Sequence, residues 1–220
     1  MKDNAANNIV YLCHAKTNIT MKRIITTLAC AVLIASTAFA QASIGAGYLS
    51  STEVVKSGNS STQRTPLNGF YVGMGYTVPI AAGINFTPGV YFGMAAKSNA
   101  TSIFGLKIEG KQQDTFINVP LHFSFGTDIG SGLRFFAYAG PSASIAVASK
   151  IISGSTTYDR LQDNDSLQRF DVMLGGGVGL QFNDMLRFQV GYDMGMLNRY
   201  NSDNYIVKRN QLTAGIALLF

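Results

Sequence analysis

His122 and Ser124 are the pair whose types and spacing come nearest to covalent chemistry. Two positions apart on an extended strand, they point to one face. Ser124 as nucleophile and His122 as its base would be the core of an acyl-transfer site. The acid such a pair needs is missing from the matching place on the following run, where Phe136 and Tyr138 stand. His122 is the one histidine after residue 40, and both cysteines, Cys13 and Cys30, precede it. That leaves no set of metal ligands. Gly175-Gly176-Gly177-Val178-Gly179 is Gly-rich, but no helical pattern follows it and the P-loop lysine is absent. The expectation is therefore no metal, no cofactor and no enzyme. A hydrolase centred on His122 and Ser124 is the alternative.

The elements that would position this pair start after a leader. Met21-Lys22-Arg23 is a short basic start, and the 16 residues from Ile24 to Phe39 are apolar. Ala38-Phe39-Ala40 then presents a small-x-small cleavage pattern with Ala38 and Ala40 at its key positions. This order describes a secretory signal peptide over residues 21–40, and the run is short of the roughly 20 residues a membrane-spanning helix needs. Residues 1–20 are polar and aperiodic, and read as an upstream extension, with translation expected to start at Met21. Cleavage after Ala40 leaves Gln41–Phe220. Without the basic residues Lys2, Lys16, Lys22 and Arg23 and the acid Asp3, 13 basic and 11 acidic residues remain. So even a charge balance excludes a nucleic-acid-binding domain. With no cysteine left, stability must come from burial and backbone pairing.

The chain is 47% hydrophobic and 13% charged, with 23 glycines, a composition that opposes a helical bundle. Its period is two almost throughout. From Gly69 to Ile80, the residues Phe70, Val72, Met74, Tyr76, Val78 and Ile80 oppose Gly69, Tyr71, Gly73, Gly75 and Thr77. The same alternation marks runs around Ala42–Leu49, Ile84–Met94, Ile117–Phe125, Leu133–Val147, Phe170–Phe182, Leu186–Met196 and Leu212–Phe220. The links alternate in length. Ala81–Gly83, Gly126–Gly132 and Asn183–Asp184 are short, whereas Val55–Leu67, Lys97–Gln112, Ala148–Arg169 and Leu197–Arg209 are long and polar. Eight runs joined in this way predict an all-β, eight-stranded antiparallel up-and-down barrel.

The two faces decide between water and lipid. The apolar face carries no charge in any run. The opposite face is mainly Gly, Ser, Thr, Asn and Gln, with Arg134, Asp171, Arg187 and Asp193. A soluble barrel would show water a charged surface, whereas a transmembrane barrel is apolar outside and polar within. The pattern predicts the second, with a filled interior and no wide pore. Arg134, Asp171, Arg187 and Asp193 should form one lumen network, joined by Asn118, Gln181 and Gln189, because a buried charge without a partner is costly. His122 and Ser124 fall on that inner face, away from lipid. Pro120 and Pro141 should mark bulges or strand ends. A secreted soluble barrel holding a small apolar ligand is the other alternative.

Four stretches carry a family resemblance. Thr115–Phe125, with its central Pro120, is similar to a strand of the small outer-membrane β-barrel domain proteins described as porin-like or PorT-like, of OmpA/OmpX-type architecture. Leu133–Pro141, Phe170–Leu180 with Leu186–Gly195, and the end of the chain resemble further segments of that family. Leu212, Ile216, Leu218 and Phe220 resemble the C-terminal signal read by the barrel-assembly machinery. The resemblance implies an integral outer-membrane location, with lipid and the assembly machinery as partners. It implies no single shared activity. The polar loops, Ala148–Arg169 above all, are the expected contact surface for an extracellular or envelope protein. The His-x-Ser spacing also resembles that of the lipid A deacylase PagL.

Overall fold

The computed structural model describes residues 41–220 apart from 59, 64–65, 104–105, 154–155, 162–166 and 201–205. The expected extension, the leader and its cleavage residues Ala38 and Ala40 lie outside the described residues. Alternation of bulky outer and small inner residues folds as strand along nearly all of the rest. The strands are β1 (Gln41–Ser57), β2 (Ser60–Gln63), β3 (Leu67–Ala81), β4 (Ile84–Ile103), β5 (Leu106–Gly130), β6 (Leu133–Ser153), β7 (Thr156–Asp159), β8 (Phe170–Phe182), β9 (Leu186–Gly195) and β10 (Ile206–Leu219).

Eight of them form a closed antiparallel ring in the order β1-β3-β4-β5-β6-β8-β9-β10, and β10 pairs back with β1 from Ser43↔Leu219 to Lys56↔Ile206. Ala42 and Phe220 complete the closure by exchanging both backbone hydrogen bonds, at 3.0 and 2.9 Å. The short β2 and β7 only prolong the hairpins of β1 and β6. Closure leaves the eight-strand ring itself without an open edge, which hydrocarbon would not tolerate.

Turn chemistry suits the tight ends. Gly83 and Gly132 take positive φ, +79° and +73°. Asn183 and Asp184 both do so too, at 46° and 53°, the conformation of a turn that matches strand twist. These three turns lie at the same end as Gln41 and Phe220, since Leu219 N–H donates to Met185 O and Gln41 Nε2 to Asp184 O.

The outer face is apolar. Ile44, Phe70, Met74, Val90, Phe123, Phe135, Val178, Phe188, Val190 and Leu218 are all exposed, while Ser43, Thr77, Ser142, Ser144, Gln181 and Gln211 are buried. Most polar strand side chains are inside and most apolar ones outside, but the interior is mixed: Leu49, Leu67, Tyr71, Ala95 and Phe116 form a buried apolar cluster within it.

Three expectations need correction. The long links are largely strand: β1 runs to Ser57, and β4 and β5 pair out to Ile103↔Leu106. Polar sequence there means strand above the apolar belt rather than loss of pairing. The short link Gly126–Gly132 is strand as far as Gly130, with a register shift between Asp128 and Gly130. Finally, neither Pro120 nor Pro141 is a strand end or a bulge. The β5–β6 register is the same on both sides of them, and the β5–β6 bulge falls instead between Thr115 and Phe116.

Candidate functional site: the barrel interior

The inward side chains of the ring stack in three levels. Nearest the tight turns, Arg187 on β9 donates to Gln181 Oε1 at 3.0 Å and spans the interior to Thr77 Oγ1 on β3 at 3.5 Å. Gln181 Nε2 in turn donates to Asp184 at 2.7 Å. The guanidinium of Arg187 lies 5.2 Å from the centre of the Phe136 ring, within cation–π range. Arg134 reaches the carbonyls of Gly83 and Gly126, each at 3.4 Å.

The middle level holds a cavity of about 80 Å³. Tyr71, Tyr91, Tyr138, His122, Gln189 and Asp193 are among its lining residues. Here glycine is required: a Cβ on Gly191 would collide with the Tyr138 hydroxyl, and one on Gly215 with that of Tyr71. Small residues on one strand thus make room for aromatic rings from another.

The upper level is dense and charged. Asn118 Nδ2 donates to Gln211 Oε1 at 2.9 Å, and Asn118 Oδ1 accepts from Ser144 at 2.5 Å. Arg209, 1% exposed, donates to Ser144 and stacks 4.6 Å above the Phe116 ring centre. Glu53 pairs with Arg199 at 3.3 Å and with Arg160 at 3.6 Å. Ser149 donates to Asp114 at 2.7 Å. Asp171 is buried in the field of Arg209 and Arg199. Above this level Ala146, Leu161 and Leu167 cluster with Tyr200, and Leu167 bridges to Tyr200. Gln168 N–H also donates to Arg199 O at 2.9 Å. The links β6–β8 and β9–β10 are tied together in this way over the barrel mouth.

The residues singled out from sequence occupy this interior, but they do not join in one network. Arg134 bonds backbone carbonyls, and Arg187 bonds Gln181 and Thr77. Asp171 accepts from no side chain among the described residues and lies against the backbone N–H groups of Val172 and Leu197, and Oδ1 of Asp193 has no hydrogen-bond partner among them. Asn118 belongs to the upper level and Gln189 to the cavity wall. The reason is spacing: Arg187 and Asp193 share a strand face but stand six residues apart, about 20 Å at ~3.4 Å per residue. Equal parity therefore puts charges in the same lumen at different heights.

His122 does not pair with Ser124. Its Nε2 lies 3.4 Å from Ser142 Oγ, on β6, and its ring lies 5.0 Å from that of Tyr138. No carboxylate is hydrogen-bonded to it among the described residues, so a nucleophile–base–acid relay is not assembled there. No group of metal-ligating side chains occurs among the described residues.

Sequence reasoning missed Glu53, Asp114, Arg160, Arg199 and Arg209: the last three stand in the long links, and Glu53 and Asp114 fall between a run and a link. The signal for three of them was present: Asp114 continues the even-numbered inner face of Asn118 and His122. Ser51 and Glu53 continue the odd-numbered inner face of Gly45, Gly47 and Leu49, and Gln211 and Arg209 continue that of Gly215 and Thr213.

Comparison with known proteins gives one family match. Residues 38–201 match the model described as outer membrane protein beta-barrel domain. No curated protein matches the chain. Among solved structures, Ail, the attachment invasion locus protein of Yersinia pestis, in complex with the heparin analogue sucrose octasulfate, is 18% identical, with 82% of this chain and 99% of that chain covered and a TM-score of 0.43. Neisserial surface protein A is 15% identical, covering 82% of this chain and 97% of that one, with a TM-score of 0.43. The outer membrane enzyme PagL is 13% identical, covering 76% and 97%, with a TM-score of 0.30.

Proposed function

The chain belongs to the outer membrane protein beta-barrel domain family, and from that premise we propose that this integral outer-membrane barrel works through its outer rim, as a contact surface for an extracellular or envelope protein. The interior favours a structural over a transport role, since the bonded side chains at its upper and lower levels come from strands that are not neighbours in the ring. One observation carries the reading: the described parts of the β6–β8 and β9–β10 links are held together by the Leu161–Leu167–Tyr200 cluster and by Glu53 bridging Arg160 and Arg199. Disconnected loops would have to be ordered on binding, at a cost in entropy. A pre-ordered rim avoids that cost.

The remaining assignments follow the same premise. Residues 21–40 direct export, with cleavage after Ala40. Leu212, Ile216, Leu218 and Phe220 engage the barrel-assembly machinery during insertion. Arg134, Asp171, Arg187, Asp193, Asn118, Gln181 and Gln189 hold the interior shape.

The test uses intact cells. Leu167→Asp should loosen the rim while leaving a heat-modifiable barrel in the outer membrane, and should abolish surface cross-links from the β6–β8 link to other proteins. An unchanged cross-link pattern would overturn the rim as the contact surface. A band in the soluble periplasmic fraction that does not shift on boiling would overturn the membrane assignment.

A further inference from the structure

The wall from β3 to β6 has a seam in its hydrogen-bond ladders. Along β3–β4, Gly75↔Gly89 is followed by Val78↔Phe86, so Tyr76 and Thr77 lack partners opposite Pro88 and Thr87. Along β4–β5, Pro88↔Leu121 is followed by Tyr91↔Asn118, which omits Gly89 and Val90 opposite Pro120 and Val119. Along β5–β6, Pro120↔Ser142 is followed by Phe123↔Ala139, which omits Leu121 and His122 opposite Pro141 and Gly140. The register is unchanged across each gap, so no residue is inserted and pairing simply lapses. Every gap contains a proline, whose nitrogen has no proton to donate. Pro88, Pro120 and Pro141 therefore set the gaps side by side on three successive ladders.

An apolar groove of about 560 Å³ opens on the outer wall at this seam. Ile44, Met74, Val90, Val119 and Phe220 contribute to its lining, together with Pro88. The tyrosine-lined cavity lies on the inner side, and Ser43 borders both spaces. Between them stand Gly75 and Gly89, which have no side chains, and the Ser43 hydroxyl, which donates to Gly75 O at 3.2 Å.

We propose that this groove seats an acyl chain of a membrane lipid, held at the seam between β3 and β5. The groove is continuous with the apolar wall that meets hydrocarbon, and its lining is of the same chemistry. An empty space against that wall would forfeit dispersion contacts on one side. Interrupted ladders in hydrocarbon also need to be covered. A flexible methylene chain can follow a groove made of isolated apolar side chains and two glycines, whereas the flat outer wall of a second copy would leave it unfilled.

The chain contains no Trp, so one introduced Trp is an unambiguous reporter. Tyr76 lines the groove, and Phe188 lies on the outer face of β9, away from it. Full-length mature Tyr76→Trp and Phe188→Trp proteins would be refolded into phosphatidylethanolamine–phosphatidylglycerol vesicles containing a small, varied fraction of dibrominated acyl chains. The expected result is that Tyr76→Trp is quenched at a several-fold lower brominated fraction than Phe188→Trp. Adding Ala42→Phe, which fills the groove, should return the curve to that of Phe188→Trp. If Ala42→Phe fails to fold, Pro88→Val makes the same comparison by restoring a donor to the ladder. Coincident curves for the two reporters would overturn the proposal. So would weaker quenching at Tyr76→Trp, the sign of a second copy covering the groove. The proposal rests on a lipid-facing wall, and that premise fails separately: Phe188→Trp would then not be quenched at any brominated fraction.

Discussion

Asn118 on β5 donates to Gln211 on β10 across the interior, at 2.9 Å, although the two strands are not neighbours in the ring. Through Ser144 the same asparagine meets Arg209, the largest fully buried side chain among the described residues. The upper interior is thus a cross-brace of hydrogen bonds and charges, and it carries the first prediction. Removing one member of a buried ionic group costs about 3–5 kcal/mol because it strands the others. Arg209→Leu should lower the urea midpoint of the refolded barrel in detergent accordingly. Arg209→Lys should fall between it and the wild type, since lysine keeps the charge but loses the planar stacking on Phe116. Equal midpoints for all three proteins would remove Arg209 from the brace.

The glycine–tyrosine fit at mid-height gives a rescue experiment. A Cβ at Gly191 meets the Tyr138 hydroxyl first, with ring carbon and backbone farther off. Overpacking of this kind costs roughly 1–3 kcal/mol. Gly191→Ala should therefore destabilise the barrel, and Gly191→Ala with Tyr138→Phe should recover most of the loss. Additive losses in the double variant would show that the strain lies elsewhere.

The turn after β8 is tested by its backbone. Asn183 has φ of 46°, a left-handed conformation that costs a branched residue about 1–2 kcal/mol. Asn183→Gly should leave the unfolding midpoint nearly unchanged, and Asn183→Val should lower it. The reverse order would mean that the side chain, not the backbone, sets this turn.

Lipid hydrolysis is the sharpest test of the interior chemistry. Since His122 Nε2 faces Ser142 rather than Ser124 and bonds no carboxylate among the described residues, the barrel should release no fatty acid from radiolabelled outer-membrane lipid beyond the His122→Ala background. Release that disappears in both His122→Ala and Ser124→Ala would establish the hydrolase instead.

How far the sequence reached can be judged from single residues. Phe70, Val72 and Met74 against Tyr71, Gly73 and Gly75 gave the face of each side chain, and with it the inside-out polarity. Gly83, Gly132 and Asn183-Asp184 marked the tight turns. Glu53 and Arg209 were missed for want of extending the same parity a few residues past the apolar belt. The ion pairs of Arg160 and Arg199 had no such signal, because these two residues lie in links without a period.

The sequence by itself determined the period, the polarity of the faces and the end at which the chain turns tightly. These depend only on neighbours along the chain, and a strand's two-residue repeat transmits them without loss. The tertiary structure alone decided which inward residues meet. Parity assigns a side chain to the lumen but not to a height within it, and height follows from the register of each ladder and the stagger accumulated on closure. That stagger put Asn118 opposite Gln211 and brought the gaps at Pro88, Pro120 and Pro141 together as one seam.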